Sequence, residues 1–234
     1  MENIIPSYGF QSSYGPRDVN SQIVSLQELF PNLDIGLVDE KLITNTLPLG
    51  AEGWFVVPRW EIFSSYYTEA VGIVFRKIKE TRGFYQPLES LILSVIKHLV
   101  RHEHSDRMLK EIGRQQNTHN VFLIPAQFGG RFLKCFNNGF VPDDVYLEMA
   151  PNEFCLGVFE AGIMLLTHPK RISSITDKGI VCAGDICNIP GSLKKVPWII
   201  QAGSGKNGLP SIYLLDTNNY EICSNSGFPT GFLP

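Results

Sequence analysis

Apolar positions along this chain fall in two rhythms, with the change near residue 170. Before it, spacings of three and four dominate. Ser21 can cap a short helix in which Ile23, Leu26, Leu29 and Phe30 share a face, with Pro31 ending it. Residues 34–48 alternate weakly and suit a short edge strand, and residues 54–57 (Trp-Phe-Val-Val) read as a buried strand closed by Pro58. From 61 to 82, Phe63, Tyr66, Tyr67, Ala70, Val71, Val74 and Ile78 keep helical spacing up to Gly83. Pro87 can open a second helix carrying Leu88, Leu91, Ile92, Val95, Ile96 and Leu99, and a third from Ser105 buries Met108, Leu109 and Ile112. Residues 121–124 form another apolar run stopped by Pro125. Two apolar runs, each followed by proline and with helices between, predict parallel pairing through a helical crossover.

The stretch 154–166, FCLGVFEAGIMLL, is apolar on all sides apart from Glu160. A surface helix would show a polar stripe, so this one is predicted to lie inside the protein, ended by Pro169. Glu160 then needs a partner, an arginine or a backbone amide from elsewhere, or it becomes neutral. Its other reading is a carboxylate poised in a pocket.

Beyond residue 170, short β runs at 180–183, 198–202, 212–215 and 220–223 alternate with turn residues at 206–208 and 217–219. They predict an antiparallel meander packed on the central helix, and Phe228 and Phe232 dock the tail. The fold class expected is α+β: a small mixed sheet with flanking helices, one buried apolar helix and a C-terminal antiparallel meander. Residues 1–20 read as an irregular arm and 21–234 as a single domain.

Composition adds bounds. With 44% hydrophobic and 18% charged residues the chain can build a real core. A net charge of −3 argues against nucleic acid as a general partner, although residues 76–114 carry nine Lys or Arg against five Asp or Glu. Five scattered cysteines read as reduced thiols. No signal peptide or eighteen-residue apolar run is visible, which points to a cytoplasmic protein without a membrane partner.

Candidate chemistry is sparse. His98 and His102 are four apart and could share one helix face, but Leu99 stands where a metalloprotease helix has glutamate, so no metal is assigned. Gly203-Ser204-Gly205-Lys206 lacks the earlier glycine of a phosphate loop and no helix follows, so it reads as a hairpin tip. His168 and Asp185 end apolar segments and join Glu160 as candidate catalytic groups, with structural capping and turn roles as the alternatives. Arg59 and Trp60 follow an apolar strand, and Gln127 and Arg131 flank the Gly129-Gly130 pair expected to form a loop.

Five motifs in order, GWFVVPRW (53–60), IPAQFG (124–129), LGVFEAGIMLLTHP (156–169), CAGD (182–185) and SGFPTGFLP (226–234), resemble those of a family of uncharacterised bacterial proteins. The resemblance covers most of the chain beyond residue 50 and implies no activity, cofactor or partner. It implies several arginines after the PAQFG motif, where this chain has Arg131 and Lys134.

Two function classes follow. One is a polar small-ligand pocket, with catalysis left open, lined by Arg59, Trp60, Gln127, Arg131, Glu160, His168 and Asp185. The other is a non-enzymatic interaction or structural protein docking a protein partner through Tyr8, Phe10, Tyr14 and Tyr85. The sequence identifies no cofactor for either.

Overall fold

A computed structural model of the chain describes residues 15–35, 38, 40–83, 89–116, 120–131, 146, 149–174, 176–177, 179–191, 195–216 and 226–234. Tyr8, Phe10, Tyr14 and Tyr85, the run 220–223 and the turn 217–219 lie outside them.

Asp18, rather than Ser21, caps the first helix, α1 (Val19–Leu29), by accepting the Ser21 N–H at 2.8 Å. The expected edge strand near residue 40 is instead a short helix, α2 (Glu40–Ile43). Strand β1 (Gly53–Pro58) leads through a turn of 3-10 helix (Trp60–Ile62) into α3 (Tyr67–Arg82). Gly83, at φ 86°, closes α3 as its lack of a Cβ allows. Helix α4 (Glu89–Lys97) ends earlier than its pattern suggests, because Leu99–Arg101 form strand β2. Helix α5 (Glu103–Gln116) buries Met108, Leu109 and Ile112 as expected.

Strand β3 (Val121–Arg131) runs straight through Pro125 and carries Gln127 and Arg131 within the strand, not on a loop. Its register against the last strand shifts between Phe128 and Arg131, where the glycine pair sits. β1 and β3 pair antiparallel, Pro58 opposite Val121 and Gly53 opposite Ala126, so the crossover expectation is wrong. Two helix glutamines bond to backbone along their outer edges. Gln22 of α1 donates to Trp54 O and accepts from Val56 N–H, and Gln116 of α5 does the same for both groups of Leu123.

After β4 (Glu153–Cys155) comes the central helix α6 (Val158–Thr167), all ten residues of which are buried. The segment 154–166 is therefore part strand and part helix, and Gly157 is the hinge between them. Helix α6 rests on α3, β1 and α1 more than on the C-terminal strands. At Gly162 an added Cβ would lie 2.8 Å from Val74 Cγ1, so its glycine permits close approach to α3.

The remaining strands are β5 (Gly179–Val181), β6 (Asp185–Cys187), β7 (Pro197–Ser204), β8 (Pro210–Asp216) and β9 (Ser226–Phe232). β7 and β8 form the expected hairpin, and its tip uses Asn207 and Gly208 at φ 56° and 72°. The meander itself is not closed on its own: β5 pairs parallel with β9, and β9 pairs antiparallel with β3. One sheet results, in the order β1-β3-β9-β5-β7-β8 with β4 also against β9, and β2 pairs separately with β6. The α+β expectation holds.

Candidate site at the N-terminus of the central helix

Four polar side chains meet where α6 begins. Gly157 offers its helix no capping side chain, so the first N–H groups find acceptors elsewhere. Glu160 reaches back to the Gly157 N–H at 3.0 Å, and Asp185 Oδ2 accepts the Val158 N–H at 2.6 Å. The Tyr67 hydroxyl donates to the same Asp185 oxygen at 2.6 Å and lies 3.4 Å from the Phe159 N–H. Arg101 Nη1 donates to Glu160 Oε1 at 2.8 Å, and its guanidinium lies 4.9 Å from the centre of the Tyr67 ring.

Local structure explains the meeting. In the small β2–β6 ladder Arg101 stands directly opposite Asp185. Asp185 follows a turn held by Asp185 N–H to Cys182 O, while Gly184 N–H bonds to Leu156 O, bringing that turn against the start of α6. Tyr146 steadies the turn by donating to Ala183 O, and Ser105 donates to Cys155 O. Gly157 is required for closeness, since a Cβ there would lie 2.7 Å from both Asp185 oxygens.

Electrostatics are uneven across the quartet. Glu160 and Asp185 are buried, whereas Tyr67 and Arg101 are only partly so. The cluster therefore comes nearest the surface at Tyr67, where the half-buried Trp60 packs edge-on against its ring at 5.7 Å. Burial raises the Asp185 carboxyl to about 7, with Glu160 adding to the rise and Arg101 opposing it. Burial, followed by the Asp185 charge, raises the Tyr67 hydroxyl far above its usual range. Burial alone would lower the Arg101 pKa, but Glu160, Tyr67 and Asp185 outweigh it and the net direction is up. Among the described residues, three buried atoms here find no hydrogen-bond partner: Arg101 Nε, Arg101 Nη2 and Asp185 Oδ1. An acid that holds its proton to about neutral pH is suited to proton transfer.

The other predicted residues divide differently. Trp60 joins the site through Tyr67, while the Arg59 guanidinium lies over the Phe122 ring at 4.7 Å. Gln127 is buried in the sheet, donating to Phe228 O and Thr230 Oγ1. Arg131 contributes backbone pairing with Phe228. His168 caps the far end of α6, eight residues from Glu160, which is about 12 Å along a helix axis. Its Nε2 accepts the Arg17 N–H at 3.1 Å, so Nδ1 carries the proton of a neutral ring facing Thr167 Oγ1 and Met164 O. Burial lowers its pKa to about 4, so the helix end is capped, as the structural alternative had it, by a neutral ring.

The shared helix face expected for His98 and His102 fails because β2 lies between α4 and α5. His102 stacks on Tyr146 at 4.2 Å. Among the described residues no group of three metal-ligating side chains comes together, and Cys155, Cys182 and Cys187 are buried outside any disulfide. A hollow of about 490 Å³ lies elsewhere, between Phe30 and Leu33 on one side and Ile73, Arg76 and Lys77 of α3 on the other. Its lining has none of the quartet. Among the described residues no helix is long and apolar enough to cross a membrane.

Sequence reasoning missed Tyr67 and Arg101. Tyr67 carried the spacing of a core helix position, and Arg101 comes just after Leu99, the last residue of the predicted second helix. The requirement that Glu160 find an arginine was the available signal. Compared with protein-family models, curated proteins and solved structures, the chain finds no match.

Proposed function

We propose that the protein binds a small polar ligand at the face formed by Tyr67, Arg101 and Asp185, with Glu160 holding Arg101 in place. The observation that carries this reading is the set of unpartnered polar atoms, Arg101 Nε and Nη2 and Asp185 Oδ1. A buried polar atom without a partner costs about 1–3 kcal/mol, and a ligand that bonds to these atoms offsets that cost. Partial exposure of Tyr67 supplies a way in. The acid at Asp185 supports catalysis by proton transfer once a ligand is seated, with Tyr67 as its hydrogen-bonded neighbour.

A thermal-shift screen across nucleotides, sugars, amino acids, carboxylic acids and metal ions tests the reading. A ligand at a hundred times its Kd adds about 2.7 kcal/mol to the native state, a rise of a few degrees for a chain of this size. Arg101→Lys keeps a cation for Glu160 but loses the flat edge of the guanidinium, so the rise should vanish in that variant. A compound that shifts wild type and Arg101→Lys equally binds elsewhere, and a panel that shifts neither removes the support for this site.

A further inference from the structure

We infer that the ligand taken at this face is a carboxylate monoanion, gripped by the Nε–Nη2 edge of Arg101 and bound together with one proton on Asp185. The inference rests on the ligand-site reading above and names the chemistry of the ligand. Arg101 commits one nitrogen, Nη1, to Glu160. The two nitrogens left, Nε and Nη2, lie along one side of the guanidinium and point two N–H bonds in parallel, the spacing that matches the two oxygens of a carboxylate. The Arg101 side chain is 9% exposed, so this edge is a buried feature of the site and not a surface charge awaiting solvent.

Charge sets the rest. Asp185 is faced by Tyr67 from α3, Arg101 from β2, Glu160 and the Val158 N–H from α6, and the Cys182 thiol from the turn before it. Tyr146 stands behind that turn. One guanidinium therefore already meets two carboxyl groups, and a third carboxylate is tolerated only when one of them is neutral. Asp185 Oδ2 accepts two hydrogen bonds, which leaves the acid proton to Oδ1, the oxygen with no protein partner. That O–H becomes a donor to the incoming carboxylate. A dianionic phosphate brings an additional charge and further oxygens for which this face has no donor.

The test is calorimetric titration of the full chain with formate and acetate at pH 5.5 and 8, with sulfate and phosphate alongside. For so few atoms the expected Kd at pH 5.5 is on the order of a millimolar. Affinity should fall about tenfold per pH unit above 7 as Asp185 loses its proton. Asp185→Asn should bind with little pH dependence, and Arg101→Lys should not bind. Because Arg101→Lys could unfold, the Nε–H resonance of Arg101 in the wild-type protein gives a second readout, and it should move on adding formate. Equal or tighter binding of sulfate or phosphate overturns the carboxylate assignment. Carboxylate binding unchanged from pH 5.5 to 8 overturns the coupling to Asp185. An Nε–H resonance unmoved by either carboxylate overturns the inference, while the broader site reading then still stands or falls on the neutral and cationic compounds of the thermal screen.

Discussion

Asp185 and His168 hold opposite ends of α6, and burial shifts both toward their neutral forms. For Asp185 the folded value of about 7 lies above the ordinary 3.8, so its contribution is fully present below about pH 4 and lost as pH rises through 7. For His168 the folded value of about 4 lies below the ordinary 6.5, so its contribution is present above that value and lost as pH falls through 4. The two slopes oppose each other across nearly the same window. Asp185→Asn keeps acceptor geometry for Val158 and Tyr67 but does not ionise. Its melting temperature relative to wild type should climb steadily from pH 4 to 7, each pKa unit removed being worth about 1.4 kcal/mol. A difference that stays constant over that range would show that Asp185 titrates normally. At this scale the sequence was informative about need and silent about supply. An acid in an apolar helix had to find an arginine or an amide, and Glu160 finds both in Arg101 and Gly157. Which arginine was illegible, because Arg101 lies 59 residues away in a strand that looked like the end of a helix.

Helix α6 is capped by residues outside itself, and that arrangement makes one atom's worth of space decisive. Adding a methyl group at Gly157 places it 2.7 Å from both carboxylate oxygens of Asp185. The backbone there is extended, at φ −87°, which alanine adopts freely, so only the contact opposes the change. Gly157→Ala should cost about 1–3 kcal/mol through overpacking, and it should displace Asp185 from the Val158 N–H. Denaturant unfolding checks the first part. The second requires the pH dependence described for Asp185 to weaken in the same variant. A stabilised Gly157→Ala protein would mean that the Asp185 carboxylate is not seated over the helix start. That α6 is buried followed directly from its lack of a polar stripe. Where it starts did not follow, since Phe154 and Cys155 of β4 are as apolar as the helix, and a short buried strand has no period that separates it from one.

At the scale of the whole molecule the last nine residues tie the two halves of the sheet together. β9 pairs with β3 along one edge, and with β4 and β5 along the other, so in the main sheet the described strands before α6 meet those after it at this tail, while β2 and β6 pair apart from it. Its position was hidden by proline, which normally marks the edge or end of a strand. Pro229 sits in β9 and Pro125 in β3, yet each lies within a paired ladder, and the Pro229 carbonyl still accepts the Leu156 N–H at 2.9 Å. β9 is also packed from both faces. Thr230 donates to Glu153 Oε1 at 2.7 Å and accepts from Gln127, while a Cβ at Gly231 would lie 2.7 Å from Phe154 and 2.9 Å from Ile124. Removing residues 226–234 should therefore abolish the cooperative fold and not merely fray an end, because both the sheet and the strand leading into α6 lose their partner. Circular dichroism melting and amide NMR dispersion of the truncated chain decide it. Gly231→Val supplies a gentler version, with an expected loss of several kcal/mol by overpacking on Phe154 and Ile124. A truncated chain that still melts cooperatively near the wild-type temperature would mean that the two halves fold without the strand between them.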